Sequence, residues 1–242
     1  LGDLEKEEEY TRGSQDELNE LTYIISHDLQ EPLRMITSYV QLLNKRYNDK
    51  LDDNARDYIR FAVEGTNRLK KMMDDLLTYS RIGRPVFKRE NADARMLIEQ
   101  IEQSINSKYK EKSYKISTRF NNVKEINADK ELFKQLIYHL IDNSIKFNRE
   151  NKTEIDLTLN ENSNQWEITV SDNGIGISKE YHGKIFGIFQ RLHNQDEYPG
   201  SGMGLAICEK IVNLHKGRIT IDSETGRGTK FTITIKKEKT EF

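Results

Sequence analysis

Three groups of residues in this chain could carry chemistry, and spacing defines each of them as much as residue type. The first centres on His27, followed at once by Asp28 and, five residues on, by Pro32. A carboxylate beside an imidazole can hold its Nδ1–H, leaving Nε2 as the more nucleophilic nitrogen. Pro32 removes a backbone donor and bends a helix near the histidine, which frees local carbonyls and makes room for a partner. An outward-facing histidine is also, ordinarily, just a solvated residue, and these residues alone leave both readings open.

The second group is Gln135-Leu-Ile-Tyr-His-Leu-Ile-Asp-Asn-Ser-Ile-Lys-Phe147. On a helix, Leu136, Ile137, Leu140, Ile141 and Ser144 form the core stripe, while His139, Asn143 and Lys146 share a neighbouring face. An amide oxygen from Asn143 suits Mg²⁺, and a lysine can neutralise phosphate; a solvated polar face is the plain alternative. The third group is a pair of glycine-rich stretches. Asp172-Asn-Gly-Ile-Gly-Ile177 follows directly on an apparent strand, and Gly200-Ser-Gly-Met-Gly-Leu205 opens an apparent helix. Asp172 can accept a hydrogen bond from an exocyclic amine, whereas backbone N–H groups at a glycine-rich helix start form a concavity for phosphate. An ordinary Asp-Asn-Gly turn would also explain the first stretch. The second is no dinucleotide fingerprint, since it neither follows a strand closely nor sits in a βαβ unit.

The elements that must position these residues follow two different grammars. Residues 1–82 hold apolar side chains at helical spacing, Leu18, Leu21, Ile25, Leu29, Ile36, Val40 and Leu43, then Ala55, Tyr58, Ala62, Leu69, Met73 and Leu76. Asn48-Asp49-Lys50 breaks the pattern, with Asp52 or Asp53 available as a cap. This predicts a helical hairpin whose apolar faces exceed what one pair covers, so a dimeric four-helix bundle is expected; a plain coiled-coil spacer would show the same stripes. At ~100° per residue His27 lies off the stripe and points outward. Residues 83–90 read as a linker around Gly83 and Pro85. From 91 to 242 an α+β sandwich is expected, with helices on one face of a mixed sheet. Its helices are predicted near 91–110, 128–147 and 203–215. Its strands are predicted near 114–119 and 124–127, through Ile155/Leu157/Leu159 and Trp166/Ile168/Val170, and through Ile219/Ile221 and Phe231/Ile233/Ile235. The charged, aromatic stretch before Gly200, with Phe186, Phe189 and Arg191, lacks periodicity and reads as a functional lid or a disordered loop.

The motifs taken in order resemble a known family. Ser26-His-Asp-Leu-Gln-Glu-Pro-Leu33 is similar to the H box of sensor histidine kinases, especially their phytochrome-type branch. The nucleotide-side motifs resemble the N box, the two glycine boxes and, in Lys184-Ile-Phe-Gly-Ile-Phe-Gln-Arg-Leu-His193, the F box of the GHKL ATPases. The resemblance implies a Bergerat-type ATP site. In it Asp172 reads the adenine amine, Asn143 meets Mg²⁺ and Lys146 lies near phosphate. Gly174, Gly176, Gly202 and Gly204 shape the pocket, and Arg191 contacts from the lid. It implies further that His27 is the phospho-acceptor with Asp28 as its general base, and that the chain forms a homodimer through the hairpin. A response-regulator receiver domain would take the phosphoryl group, and a sensor domain would lie upstream of Leu1. Two positions depart from the family pattern. Glu31 stands where Thr or Asn would orient water for dephosphorylation, and His139 stands where asparagine is usual.

Bulk composition is compatible with this and excludes little else. With a net charge of −2 and 32% charged residues, no overall field favours nucleic acid or an acidic membrane. No apolar run approaches the ~20 residues of a membrane helix. The single cysteine, Cys208, rules out an internal disulfide and fits a cytoplasmic setting for this segment, with membrane attachment through a region N-terminal to it left open.

Overall fold

The structure is a computed structural model that describes residue 23 and residues 28–83, 87–149, 152–193, 197–198 and 200–237. The chain divides into two compact units, Leu1–Arg81 and Ile82–Phe242.

In the first unit, helix α1 (28–47) leads through a 3₁₀ turn, Asn48–Lys50, into helix α2 (Asp53–Arg81). The helix runs on through Pro32, whose missing N–H costs one bond to the carbonyl four residues back. Asp52 is the residue that caps α2, its Oδ1 accepting from the Ala55 N–H at 2.8 Å. The two helices are tied by Gln30 Nε2 donating to Asp74 Oδ1 at 2.9 Å, and by the Arg81 guanidinium over the Tyr23 ring at 5.4 Å. Leu33, Met73 and Leu77 are buried, but much of the predicted stripe is open within one chain. Leu29 is 50% exposed, Ile36 51% and Tyr58 70%. A single hairpin offers each helix only one neighbour, so the side chains facing away from it stay in solvent.

The second unit has two sheets. Strands β1 (Glu90–Asp93) and β3 (Glu125–Ala128) pair antiparallel. The larger sheet is built from β2 (Tyr114–Asn121), β4 (Thr153–Glu161), β5 (Gln165–Asp172), β6 (Arg218–Ser223) and β7 (Thr229–Lys236), in the order β2-β4-β5-β7-β6. Only β2 and β4 run parallel. Helices α3 (Ala94–Lys108), α4 (Lys130–Lys146) and α5 (Gly204–Leu214) supply the other half of the core. Alternation places Ile155, Leu157 and Leu159 of β4, Ile168 and Val170 of β5, and Ile233 and Ile235 of β7 in that core. They share it with Ile101 and Ile105 of α3, Leu136 and Leu140 of α4, and Ile207 and Ile211 of α5. Ile219 and Ile221, expected to alternate inward, are only half-buried, because β6 is an edge strand.

Strand β1 was not visible in the sequence, and residues 87–90, read there as linker, belong to the second unit. The Phe87 ring meets the His215 ring edge-on at 4.9 Å, and Arg89 donates to the His215 carbonyl at 3.1 Å. His215 itself is fully buried and neutral. Its Nδ1–H donates to the Ile211 carbonyl at 2.8 Å, while Nε2 accepts from the Asp129 N–H at 3.1 Å, so the imidazole ties the end of α5 to the start of α4. Burial pushes its pKa below the ordinary value. No helix among the described residues is long and apolar enough to cross a membrane.

Candidate nucleotide site

Helix α4 is fixed by the Asp129 cap, whose Oδ1 accepts from the Leu132 N–H, and by its buried stripe. The stripe includes one hydroxyl. Ser144 is buried and donates to Asp172 Oδ2 at 2.8 Å. Asp172 ends β5, and its Oδ1 accepts the Gly174 N–H at 2.8 Å and the Thr229 N–H at 3.2 Å. One carboxylate is thus gripped from α4, from its own loop and from the start of β7. Burial pushes its pKa up, and the Gly174, Ser144 and Thr229 hydrogen bonds pull against that rise.

The loop after β5 is stitched to the end of α4 by the Ile175 N–H donating to the Phe147 carbonyl at 3.0 Å. Gly174 passes so close that a Cβ would lie 2.7 Å from that carbonyl oxygen and 2.8 Å from Asp172 Oδ1. Gly176 has φ +68°, and a Cβ there would overlap the Glu224 carbonyl; no other residue type fits that crossing. Gly202, at φ +79°, turns tightly against the Phe189–Arg191 backbone. Gly204 differs from the other three. It is the first residue of α5, with neither positive φ nor a clash, and a Cβ would make ordinary contact with His139 Nδ1 at 3.6 Å and Asn143 Nδ2 at 4.0 Å.

That contact shows what α4 and α5 do together. His139 and Asn143 face the N-terminus of α5, where no side chain caps the first-turn N–H groups. Lys146, one turn on from Asn143, reaches Gly200, against which its ammonium packs, and lies 4.6 Å from the Phe147 ring. The Asp172 carboxylate, an uncapped helix start, an amide and an ammonium therefore gather where α4, the loop after β5 and the start of α5 meet. Arg191 lies in the segment before Gly200, where its guanidinium donates to the Tyr198 carbonyl at 3.0 Å and ties two parts of that segment together. Ser144, Thr229, Phe147 and Tyr198 were not assigned to the site from the sequence. Only Ser144 carried a signal, as the single hydroxyl in an apolar stripe.

In the first unit, His27 lies outside the described residues. Asp28 opens the described part of α1 and is exposed, as is Glu31 one turn later.

A three-helix, five-strand sandwich with a half-buried carboxylate at a strand end and a glycine-bounded helix N-terminus defines the Bergerat-type ATPase class. Comparison with known proteins narrows this. Residues 128–239 match the family described as histidine kinase-, DNA gyrase B- and HSP90-like ATPase, and residues 17–85 match the His kinase A (phospho-acceptor) domain. Cyanobacterial phytochrome A of Nostoc sp. (strain PCC 7120) is 39% identical over 219 residues, which is 90% of this chain and 28% of that protein. Phytochrome-like protein Cph1 of Synechocystis sp. (strain PCC 6803) is 37% identical over 219 residues, 90% of this chain and 29% of that protein. Among solved structures, full-length ShkA in complex with AMPPNP superposes with a TM-score of 0.68 at 23% identity, over 89% of this chain and 45% of that one. The catalytic domain of histidine kinase ThkA gives 0.55 at 26% identity, over 62% of this chain and 96% of that one. The chain belongs to the sensor histidine kinases, as a catalytic core of the phytochrome-type branch. It spans less than a third of the length of the two phytochromes it matches.

Proposed function

We propose that the second unit binds ATP and that the γ-phosphoryl group passes to Nε2 of His27. The observation that supports this most is the Asp172 carboxylate, half-buried and gripped by three donors, beside an uncapped helix start faced by Asn143 and approached by Lys146. Asp172 would accept from the adenine amine, and the triphosphate would lie toward α5 and Lys146. His139 would donate to a phosphate oxygen.

Mg²⁺ fits the donor set. The described residues contain no group of three or more His, Cys, Asp or Glu that could hold a metal, and no described residue hydrogen-bonds the Asn143 side chain. One amide oxygen suits an ion that keeps several waters and takes its other ligands from phosphate. When bound, the ion neutralises phosphate charge.

In the transfer, the Nε2 lone pair of His27 forms the new bond to the γ-phosphorus. The bond from that phosphorus to the β–γ bridging oxygen breaks, and ADP leaves with the electron pair. Asp28 takes the Nδ1 proton, leaving a neutral phosphoimidazole ready to pass its phosphoryl group to an aspartate of a receiver domain. Glu31 provides no hydroxyl or amide to orient a hydrolytic water, so net flow runs toward phosphorylation. Exposed Leu29, Ile36, Tyr58 and Leu69 support dimerisation through the hairpin, and dependence on ATP fits a cytoplasmic working compartment. Incubation with γ-labelled ATP and Mg²⁺ tests the assignment. Acid-labile, alkali-stable label that vanishes in His27→Ala is the expected result, and label persisting in that variant refutes it.

A further inference from the structure

Tyr198 sits in a charged, glycine-flanked segment, yet it is only 6% exposed. Its ring packs on Phe147 with centroids 5.0 Å apart and a 35° tilt, and on His193 at 5.2 Å. Its hydroxyl accepts from Arg149 Nε at 3.0 Å, and Glu197 pairs with the same guanidinium through Nη2. Its carbonyl accepts from Arg191 Nη2 at 3.0 Å. Phe147 and Arg149 follow directly on the last turn of α4, which carries Lys146. Beyond Tyr198 the chain reaches Gly200, against which the Lys146 ammonium packs. Tyr198, two positions before Gly200, therefore ties the residues just after α4, through its ring and hydroxyl, to the His193 ring and the Arg191 guanidinium.

We propose that Tyr198 is a positioning residue for the nucleotide. It acts as a clasp that holds Lys146 and the N–H groups at the start of α5 at a fixed spacing, with Arg149 acting through its hydroxyl. The proposal rests on the ATP-binding reading above and adds a residue to it. Because Tyr198 packs on Phe147, the residue next to Lys146, and has no bond to the Asp172 carboxylate, its loss changes how long nucleotide stays more than whether it is recognised. An anchored loop lowers the ordering cost that a bound ligand must otherwise meet.

The test is stopped-flow release of a fluorescent ATP analogue from the whole chain in the presence of Mg²⁺. Tyr198→Phe keeps the ring contacts and removes the hydroxyl; Tyr198→Leu removes both. Release is expected to be roughly threefold faster in the first and roughly thirtyfold faster in the second, with association within about twofold of the unsubstituted chain. Arg149→Met should match Tyr198→Phe, and the double substitution should be no worse than either alone, since both remove one shared bond. Melting temperature monitors folding, and if Tyr198→Leu fails to fold, the Phe and Met variants decide. Unchanged release in those two, or additive effects in the double variant, overturns the clasp. Failure of the unsubstituted chain to bind nucleotide overturns the ATP reading together with the clasp. Binding that Asp172→Asn abolishes, with release indifferent to Tyr198, overturns the clasp alone.

Discussion

Replacing Asp172 by asparagine changes the chemistry of the pocket floor while sparing the fold, and the structure allows the consequence to be worked out. The asparagine Oδ1 can keep the Gly174 and Thr229 N–H groups. Its Nδ2 then faces Ser144 Oγ, which can accept from it and turn its own proton to the Leu140 carbonyl, already 3.1 Å away. Every buried partner stays satisfied. On the ligand side, an acceptor becomes a donor opposite the adenine amine. Losing a hydrogen bond to a charged group costs about 1.5–3 kcal/mol, and leaving a buried ligand donor unpaired adds about 1–3 kcal/mol. A combined loss of about 3–5 kcal/mol corresponds to roughly a hundredfold to several-thousandfold weaker binding. Stability should not fall with it. Because burial raises the Asp172 pKa, the folded state holds its proton at higher pH than the unfolded chain does. Its ionised form therefore costs stability above that raised pKa, and a neutral amide removes the cost. Calorimetric titration with ATP and with ITP, alongside thermal melting at pH 7, reads all of this. Asp172→Asn should melt within a few degrees of the unsubstituted chain, bind ATP at least a hundredfold more weakly, and lose the preference for ATP over ITP. ATP binding within tenfold of the unsubstituted value would refute the adenine-reading role.

Other substitutions separate the remaining roles. Ser144→Ala removes a donor that lowers the Asp172 pKa, so nucleotide affinity should drop about tenfold, and its onset on raising the pH should move upward; titrations between pH 5 and 8 check this. Gly176→Ala forces a Cβ into the Glu224 carbonyl at positive φ and should cost several kcal/mol, at about 2–4 °C of melting temperature each. Gly204→Ala has room at the start of α5 and should melt no lower than the unsubstituted chain, yet it should weaken ATP more than AMP if phosphates approach that helix start; equal weakening of both counts against it. His215 should make stability pH-dependent. Its folded pKa lies below its unfolded value near 6.5, so the unfolded chain binds the extra proton first. The contribution is complete above that value and is lost as pH falls below it, down to the folded pKa. His215→Leu should flatten this stretch of the melting-temperature profile and lower stability at every pH by about 1–3 kcal/mol for the unpaired Asp129 N–H.

What the sequence disclosed depended on whether a feature was local. The α4 stripe, the alternation in β4, β5 and β7, and the cap at Asp52 are written in residues a few positions apart. Strand β1 is four residues long and has its partner about 35 positions away at β3, so no periodicity could declare it. The same distinction runs through the site. Asp172 and Gly176 could be picked out because the turn they make needs those residue types within five positions. Gly204 was grouped with them by the motif alone, and its surroundings differ. Ser144 and Thr229 enter only because folding brings positions 28 and 57 residues away onto one carboxylate.

The two departures from the family pattern differ in the same way. At His139 the fold gives the imidazole a definite neighbourhood, Gly204 at the start of α5 on one side and the Tyr138 ring at 6.1 Å on the other. Asparagine at that position would leave space where a phosphate oxygen could approach α5 directly. The imidazole fills part of that space and, as a ring with two nitrogens, can offer a donor in its place. It thereby trades a small acceptor–donor amide for a bulkier donor nearer the helix start, while Asn143 keeps the one hard oxygen suited to Mg²⁺. Glu31 has no such neighbourhood to argue from, being exposed on α1. The expectation there rests on chemistry alone: a carboxylate four residues from a phosphorylated histidine would repel both the phosphoryl group and an incoming hydroxide. On the proposed reading, weak phosphatase action would be an electrostatic consequence at Glu31, whereas retention of ATP binding would be a packing consequence at His139. The first should weaken as ionic strength rises, and the second should not.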